Sequence, residues 1–400
     1  MKIGILGETK IPPDRRVPLT PAQCLEIQSK FPETELVVQP SLLRSFADKE
    51  YSEAGIILQE DLSDCNILLG VKEVAIPSLI EDKTYLFFSH TAKEQPYNRK
   101  LLQAVLKKRI KLVDYEYLTR RDNVRVVAFG RWAGIVGAYN GLIAYGKKMG
   151  LYTLESAQNL RGLDEMKSKL ASLKIPGARI VLTGGGRVAN GALEIMHAAG
   201  IREVAPQSYL NSEFTEAVFC RLDPWHYTRH STGKAFNFDH FLKNPRDYDN
   251  AFIPFALKSD LYIACHFWDP DSPILLSEDD LKNPDLPLKV IADISCDING
   301  PIASTIRAST IADPVYGYDP KTKSEVSDPY GADVISVMAV DNLPGELPRD
   351  ASADFGRALI DNVFPSLLHK DDEGIIQRAT ITEEGALTEE FAYLESYANG

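Results

Sequence analysis

The sequence is poor in the features that would set it apart from ordinary soluble globular chains. Only five cysteines occur in 400 residues: Cys24, Cys65, Cys220, Cys265 and Cys296. They are odd in number and scattered, with no Cys-x-x-Cys, so neither a disulfide framework nor a thiolate metal site is indicated. That usage fits a reducing, cytoplasmic setting. No apolar run is long enough to cross a bilayer, so no membrane partner is expected. The N-terminal Met1 to Gly7 reads as a strand closing on glycine and lacks the apolar stretch of a secretory signal. Positive charge is short as well. A net charge of −12 leaves no basic stripe to neutralise phosphates, and no nucleic-acid partner is expected. There is no repeat of fixed period and no low-complexity tract.

What is present is alternation. The length favours two domains over one core. In the first third, Lys2 to Leu6, Glu35 to Val38, Ile67 to Val71, Tyr85 to Ser89 and Ile110 to Asp114 read as strands. Thr20 to Phe31 and Tyr97 to Lys108 carry apolar residues at helical spacing. Thr20-Pro21 supplies a capping hydroxyl before a first-turn proline. This predicts an α/β parallel sheet covered by helices. Between Gly130 and Met149 the pattern changes: Gly130, Gly134, Gly137 and Gly141 recur at helical spacing. Glycine weakens a helix, so such a face predicts backbone packed closely on a neighbour. A second α/β unit begins at Pro176, with strands at Arg179 to Thr183, Val204-Ala205, Leu261 to Phe267 and Lys289 to Ile294. The end, from about Leu347, is helical again.

Gly184-x-Gly186-x-x-Ala189, between a strand and a helix, fits the dinucleotide fingerprint, including Arg187 and Val188 within it. The first glycine permits the turn, the second lets backbone approach a pyrophosphate, and the helix start offers free N–H groups. An acidic residue for the ribose is expected about twenty positions on. Val204-Ala205-Pro206-Gln207-Ser208 offers none, leaving Gln207 or Ser208 as a neutral substitute and the choice between NAD and NADP open. From Leu210 to Phe252 the chain is rich in histidine, with His226, His230 and His240 prominent. No carboxylate or thiol completes an obvious ligand set there, so no metal is expected; the stretch reads as a surface excursion or subunit contact.

Two strand ends carry chemistry. Gly70-Val71-Lys72-Glu73 follows one apolar run and Phe88-Ser89-His90-Thr91-Ala92-Lys93-Glu94-Gln95 the next. A lysine and a histidine at neighbouring strand ends can face one cavity. The lysine can accept a proton from an amine if its pKa is lowered, and the imidazole can exchange protons with water. Taken alone, Lys72 reads as a surface lysine paired with Glu73.

These motifs, with Glu8-Thr9-Lys10, Arg16-Val17-Pro18-Leu19-Thr20-Pro21, Asp114-Tyr115-Glu116, Arg125 to Gly134, Asp293 to Asp297 and Val340 to Pro344, resemble saccharopine dehydrogenase of the lysine-forming type and lysine–ketoglutarate reductase. More distantly the chain is similar to alanine dehydrogenase and transhydrogenase. The resemblance implies two Rossmann-like parallel-sheet domains with an active-site cleft between them. Residues 1–134 and 341–400 would form the catalytic domain and 135–340 the nucleotide-binding domain. It implies Lys72 as the base and His90 as the acid–base group of imine hydration. Arg16, Gln95, Arg125, Phe129, Phe267 and Trp268 would contact substrate. The nucleotide would touch Gly184, Gly186, Arg187, Val188, Ala189, Gln207, His266, Asp293, Ile294 and Ser295. Where fungal members carry another arginine before the one matching Arg125, this chain has Val124.

The expected activity is that of an oxidoreductase using NAD, or NADP, on the C–N bond of an amino acid or secondary amine. The best match is saccharopine, water and NAD giving lysine, 2-oxoglutarate and NADH. The partners are then a small amino-acid or 2-oxo-acid substrate and a second copy of the chain in a homo-oligomer. An alanine or other small amino-acid dehydrogenase is the rival enzyme. A non-catalytic nucleotide or metabolite sensor is the rival from another class.

Overall fold

The computed structural model describes residues 1–400, which divide into two compact units: Met1–Phe129 with Pro348–Gly400, and Gly130–Leu347. Each holds one eight-stranded sheet, largely parallel, with helices packed on it. No helix is long and apolar enough to cross a membrane.

In the first unit the inner strands are β1 (Lys2–Ile5), β2 (Ile67–Leu69), β3 (Thr84–Phe87) and β4 (Lys111–Asp114). They lie in the order β4, β3, β2, β1, all parallel, and continue to Glu35–Val38 and Ile57–Leu58. The C-terminal strands Thr380–Glu383 and Ala386–Leu387 add antiparallel to the free side of β4. The inner strands are buried on both faces, as their continuous apolar runs require. Helix α1 (Pro21–Lys30) starts as its sequence dictates. The Thr20 hydroxyl accepts from the Gln23 amide, and the Gln23 side chain accepts from the Thr20 amide. Helix α2 (Arg99–Lys107) buries Leu101, Leu102 and Val105 on its inner face.

The second unit centres on β5 (Arg179–Thr183), flanked by β6 (Val218–Leu222) on one side and β7 (Leu261–Ala264) then β8 (Val290–Asp293) on the other, all parallel. Here the sequence expectation needs correction. The strand anticipated at Val204-Ala205 is Arg202–Glu203, and it lies at the sheet edge rather than beside β5. Pro206 opens a short helix, Pro206–Asn211, so the strand cannot extend into it. The place beside β5 belongs to β6, inside the stretch read as an excursion. Its apolar residues Val218, Phe219, Cys220 and Leu222 are all buried.

Helix α3 (Gly130–Met149) crosses helix α4 (Arg187–Ala198) with almost nothing between them. A Cβ on Gly134 would sit 1.8 Å from the Val188 carbonyl oxygen, and one on Gly191 2.0 Å from that of Arg131. Further along, Gly137 accepts the Ile294 side chain and Gly141 that of Ala292. The glycine stripe is thus the seat of a helix and of the end of β8.

Because no rotamer can relieve a backbone clash, Gly134→Ala is expected to destabilise the second unit by about 2–3 kcal/mol, read as a lowered thermal midpoint. An unchanged midpoint would mean that the helices are not in this contact.

Candidate functional site

Parallel strands stop at a common edge, and in the first unit that edge gathers the charged motifs. After β1 comes Glu8, whose two carboxylate oxygens accept from the Val71 amide at 2.6 Å and the Lys72 amide at 3.0 Å. Desolvation outweighs these bonds and pushes the carboxyl up to about 7. Glu8 therefore clamps the backbone of Lys72, a role no sequence spacing announces.

Lys72 itself is half-buried, and its Nζ has no direct ion pair. Burial lowers its pKa from the ordinary value, and the Arg16 guanidinium adds to that; Asp14 opposes them. Its neighbour Glu73 does not pair with it. One Glu73 oxygen lies 2.6 Å from His90 Nδ1 and the other 2.7 Å from Lys10 Nζ. Burial pushes the Glu73 carboxyl up, yet the bonds from His90 and Lys10 prevail and hold it at about 2. His90 follows β3 in a left-handed conformation, φ 53°. Its Nε2 is the ring nitrogen that no partner occupies. Below it, buried Asp114 at the end of β4 accepts from the Ser89 amide and hydroxyl, fixing the turn.

The residues expected to contact substrate divide. Arg16 is buried and grips Asp14 with Nε at 2.9 Å and a second nitrogen at 2.6 Å, while its face lies 4.2 Å from the Phe129 ring centre. Phe129 in turn stacks on Phe355 at 4.5 Å. Arg125 is exposed and donates to Glu116 at 2.6 Å, and Lys93 reaches the same oxygen at 3.0 Å. The Gln95 side chain accepts from the Tyr97 hydroxyl. A cavity of about 570 Å³ in this unit opens at the opposite, amino-terminal sheet edge, beside Asn66, Thr84 and Lys111, and includes none of these groups.

In the second unit the glycine loop follows β5. Gly184 has φ +111°, and a Cβ there would meet the Cys265 carbonyl oxygen at 2.6 Å, so only glycine fits. Gly186 is the N-cap of α4, has no side-chain cap, and faces open space. Gly185, Gly186 and Arg187 are exposed, while Ala189 is buried and Val188 lies against α3. An uncapped helix start with room before it suits an anionic pyrophosphate.

The ribose position differs from the sequence expectation. Gln207 lies exposed on the short helix after the edge strand. The residue beside the loop is Asp223, at the end of β6: a Cβ on Gly185 would lie 2.5 Å from its Oδ1. Arg221 pairs with Asp223 at 2.9 Å. A carboxylate next to the fingerprint strand is what ribose hydroxyls need. The signal was the apolar run Val218 to Leu222 followed by an aspartate, far beyond the usual spacing.

His266, after β7, is buried with Nδ1 2.8 Å from the Thr183 hydroxyl; burial lowers its pKa to about 4 and its Nε2 has no partner. Phe267 is 84% exposed and Trp268 half-buried. Asp293 is fully buried and accepts from the Ser295 hydroxyl at 2.6 Å, the Thr305 hydroxyl at 2.6 Å and the Cys296 amide at 3.1 Å. Its side chain thus ties down the loop after β8, and that of Ile294 fills the space at Gly137.

Residues 4–136 match the family model of the alanine dehydrogenase/PNT N-terminal domain. The chain is 30% identical to alpha-aminoadipic semialdehyde synthase of Arabidopsis thaliana over 98% of its own length and 41% of that protein. It is 26% identical to saccharopine dehydrogenase [NAD(+), L-lysine-forming] of Yarrowia lipolytica, covering 92% of each chain. The chain thus spans less than half of the plant protein but nearly all of the fungal one. Among solved structures it is similar to an L-alanine dehydrogenase, with a TM-score of 0.65 over 99% of both chains at 14% identity, which speaks for the fold alone. The resemblance read from the sequence motifs holds.

The electrostatics of Lys72 can be measured. Its pKa, followed by NMR of ¹³C-methylated lysines, is expected below the ordinary 10.5 and to climb back in Arg16→Gln and, more weakly, in Lys10→Gln. A wild-type Lys72 titrating at or above that value contradicts the arrangement.

Proposed function

We propose that this chain is a pyridine-nucleotide oxidoreductase acting on the C–N bond of a secondary amine that joins two amino-acid skeletons. Saccharopine, interconverted with lysine and 2-oxoglutarate, is the substrate proposed, and NAD the cofactor. One observation carries the reading: a lysine of lowered basicity lies one strand end from an imidazole whose Nδ1 is held by a carboxylate. The names of the relatives agree with it.

The bound nucleotide supplies a hydride acceptor for the carbon that bears the amine. Lys72, entering as a neutral amine, takes the proton from the substrate nitrogen as that carbon is oxidised to an imine. Water then adds to the C=N bond. His90 accepts the water proton on Nε2 and returns a proton to the departing amine nitrogen, which leaves the keto acid. Glu73 stabilises the imidazolium formed in between and keeps the ring turned with Nε2 outward. This division of labour explains why Glu73 binds His90 and Lys10 and not Lys72: a direct ion pair would raise the lysine pKa and spoil the base.

The substrate is rich in carboxylates. Arg125 and Lys93, which meet at the Glu116 carboxylate, are the cations proposed to face substrate carboxylates. Arg16, saturated by Asp14, acts instead by lowering the Lys72 pKa. On the nucleotide, Asp223 would accept from the ribose hydroxyls and repel a 2′-phosphate, which favours NAD over NADP.

The decisive assay follows NADH or NADPH absorbance with 2-oxoglutarate plus lysine, and with pyruvate plus ammonia. Turnover only with the first pair and NADH is expected; turnover only with the second assigns a small amino-acid dehydrogenase. Lys72→Met should lower turnover at least about a hundredfold with the fold unchanged by circular dichroism. Unchanged turnover removes Lys72 from the chemistry. Arg125→Ala should raise the Michaelis constant for the keto acid about tenfold or more and change turnover little. Asp223→Ala should weaken NADH and narrow its advantage over NADPH; a variant that still discriminates as before would acquit Asp223.

A further inference from the structure

We infer that His230, His240 and Asp247 form a binding site for one divalent transition-metal ion of zinc's class, which staples the lobe between β6 and β7. The three side chains come from one short stretch of the chain and offer ligand atoms that all lie within 4.8 Å of one another. His230 ends the strand Thr228–His230, His240 sits on the short helix Phe238–Lys243, and Asp247 closes the turn before the returning strand Tyr248–Asn250. Asp247 is the carboxylate that the histidine-rich sequence did not reveal.

The hydrogen bonds give the cluster its direction. The Tyr248 hydroxyl donates to the Asn237 carbonyl at 3.1 Å, so its oxygen accepts from His240 Nδ1 at 3.3 Å. The ring proton of neutral His240 is then on Nδ1, and Nε2 presents a lone pair. That lone pair faces the Asp247 carboxylate at 3.7 Å. A second ring proton or a metal cation between them satisfies both atoms. The third ligand is at hand: the buried His230 ring lies against His240 with centres 5.6 Å apart. Its Nδ1 is 3.3 Å from the Thr232 amide and 3.2 Å from the Thr232 hydroxyl. The amide donates, so Nδ1 accepts from it in the metal-free chain; binding a metal through Nε2 would move the ring proton to Nδ1 and exchange the amide bond for one to the Thr232 hydroxyl, an outer-sphere arrangement common for metal-bound histidine.

Two imidazoles and one carboxylate suit zinc, with water completing a tetrahedron, and the ligands would need to close by about 1 Å. The two outer ligands, His240 and Asp247, are not buried and can make that movement. The lobe is otherwise held by a small, partly exposed aromatic cluster in which Phe236 and Phe241 pack on Tyr248, while between Ser231 and Asp247 only Pro245 is buried.

The test uses the full chain, stripped of metal with a chelator, and titrates Zn²⁺ by calorimetry and Co²⁺ by visible absorption. One ion per chain is expected, with micromolar or tighter affinity and no sulfur-to-cobalt charge-transfer band. His240→Ala and Asp247→Asn should each weaken zinc at least tenfold, and zinc should slow hydrogen exchange across 228–250 in the wild type only. Asp247→Asn alters an exposed turn and keeps the test valid if His240→Ala fails to fold. No binding by the wild type, a thiolate band, or undiminished affinity in Asp247→Asn overturns the site.

Discussion

A parallel strand cannot turn straight back to its neighbour; the chain must first cross the sheet. Every crossover leaves a free strand end at the carboxyl edge, where loops are released from the ladder and side chains can be aimed. Both units of this protein are built on that constraint. In the first, β1 to β4 deliver Glu8, Lys72, His90 and Asp114 to one edge. In the second, β5, β6 and β7 deliver Gly184, Asp223 and His266. Residues distant in sequence become neighbours because strand order, not chain order, decides who meets.

Within the first edge, the charges are partitioned rather than paired at random. Asp14 occupies Arg16, Glu73 occupies His90 and Lys10, and Glu116 occupies Lys93 and Arg125. Lys72 alone among them is left unmatched, and Glu8 spends its oxygens on backbone amides beneath it. The bland reading of Lys72 as the partner of Glu73 fails for a geometric reason: adjacent residues leaving a strand point in opposite directions, and Glu73 finds better partners on its own side.

Much of this was legible in the sequence. The runs Glu35 to Val38, Arg179 to Thr183 and Gly130 to Met149 have the limits that their apolar pattern and caps predict. The glycine stripe announced close packing, because repeated glycine on one helical face has no better explanation. What remained hidden depended on strand order. The ribose acid was sought after the next strand in the chain, but Arg202–Glu203 is an edge strand, and the strand beside β5 arrives later. That later strand ends at Asp223, the carboxylate beside the glycine loop. Likewise Asp293, by its type and place, reads as a ligand group, and only coordinates reveal that two hydroxyls and an amide saturate it.

The crossing of α3 and α4 has a mechanical consequence. Side chains between helices act as bearings, able to hop between rotamers and absorb small slips. Here Gly134 and Gly191 remove them, and main chain rests on main chain. The two helices must then tilt and shift as a single rigid beam. The amides at the head of α4 inherit that stiffness, so the diphosphate of the proposed nucleotide would meet donors already in position, and little disorder would have to be frozen out as it docks.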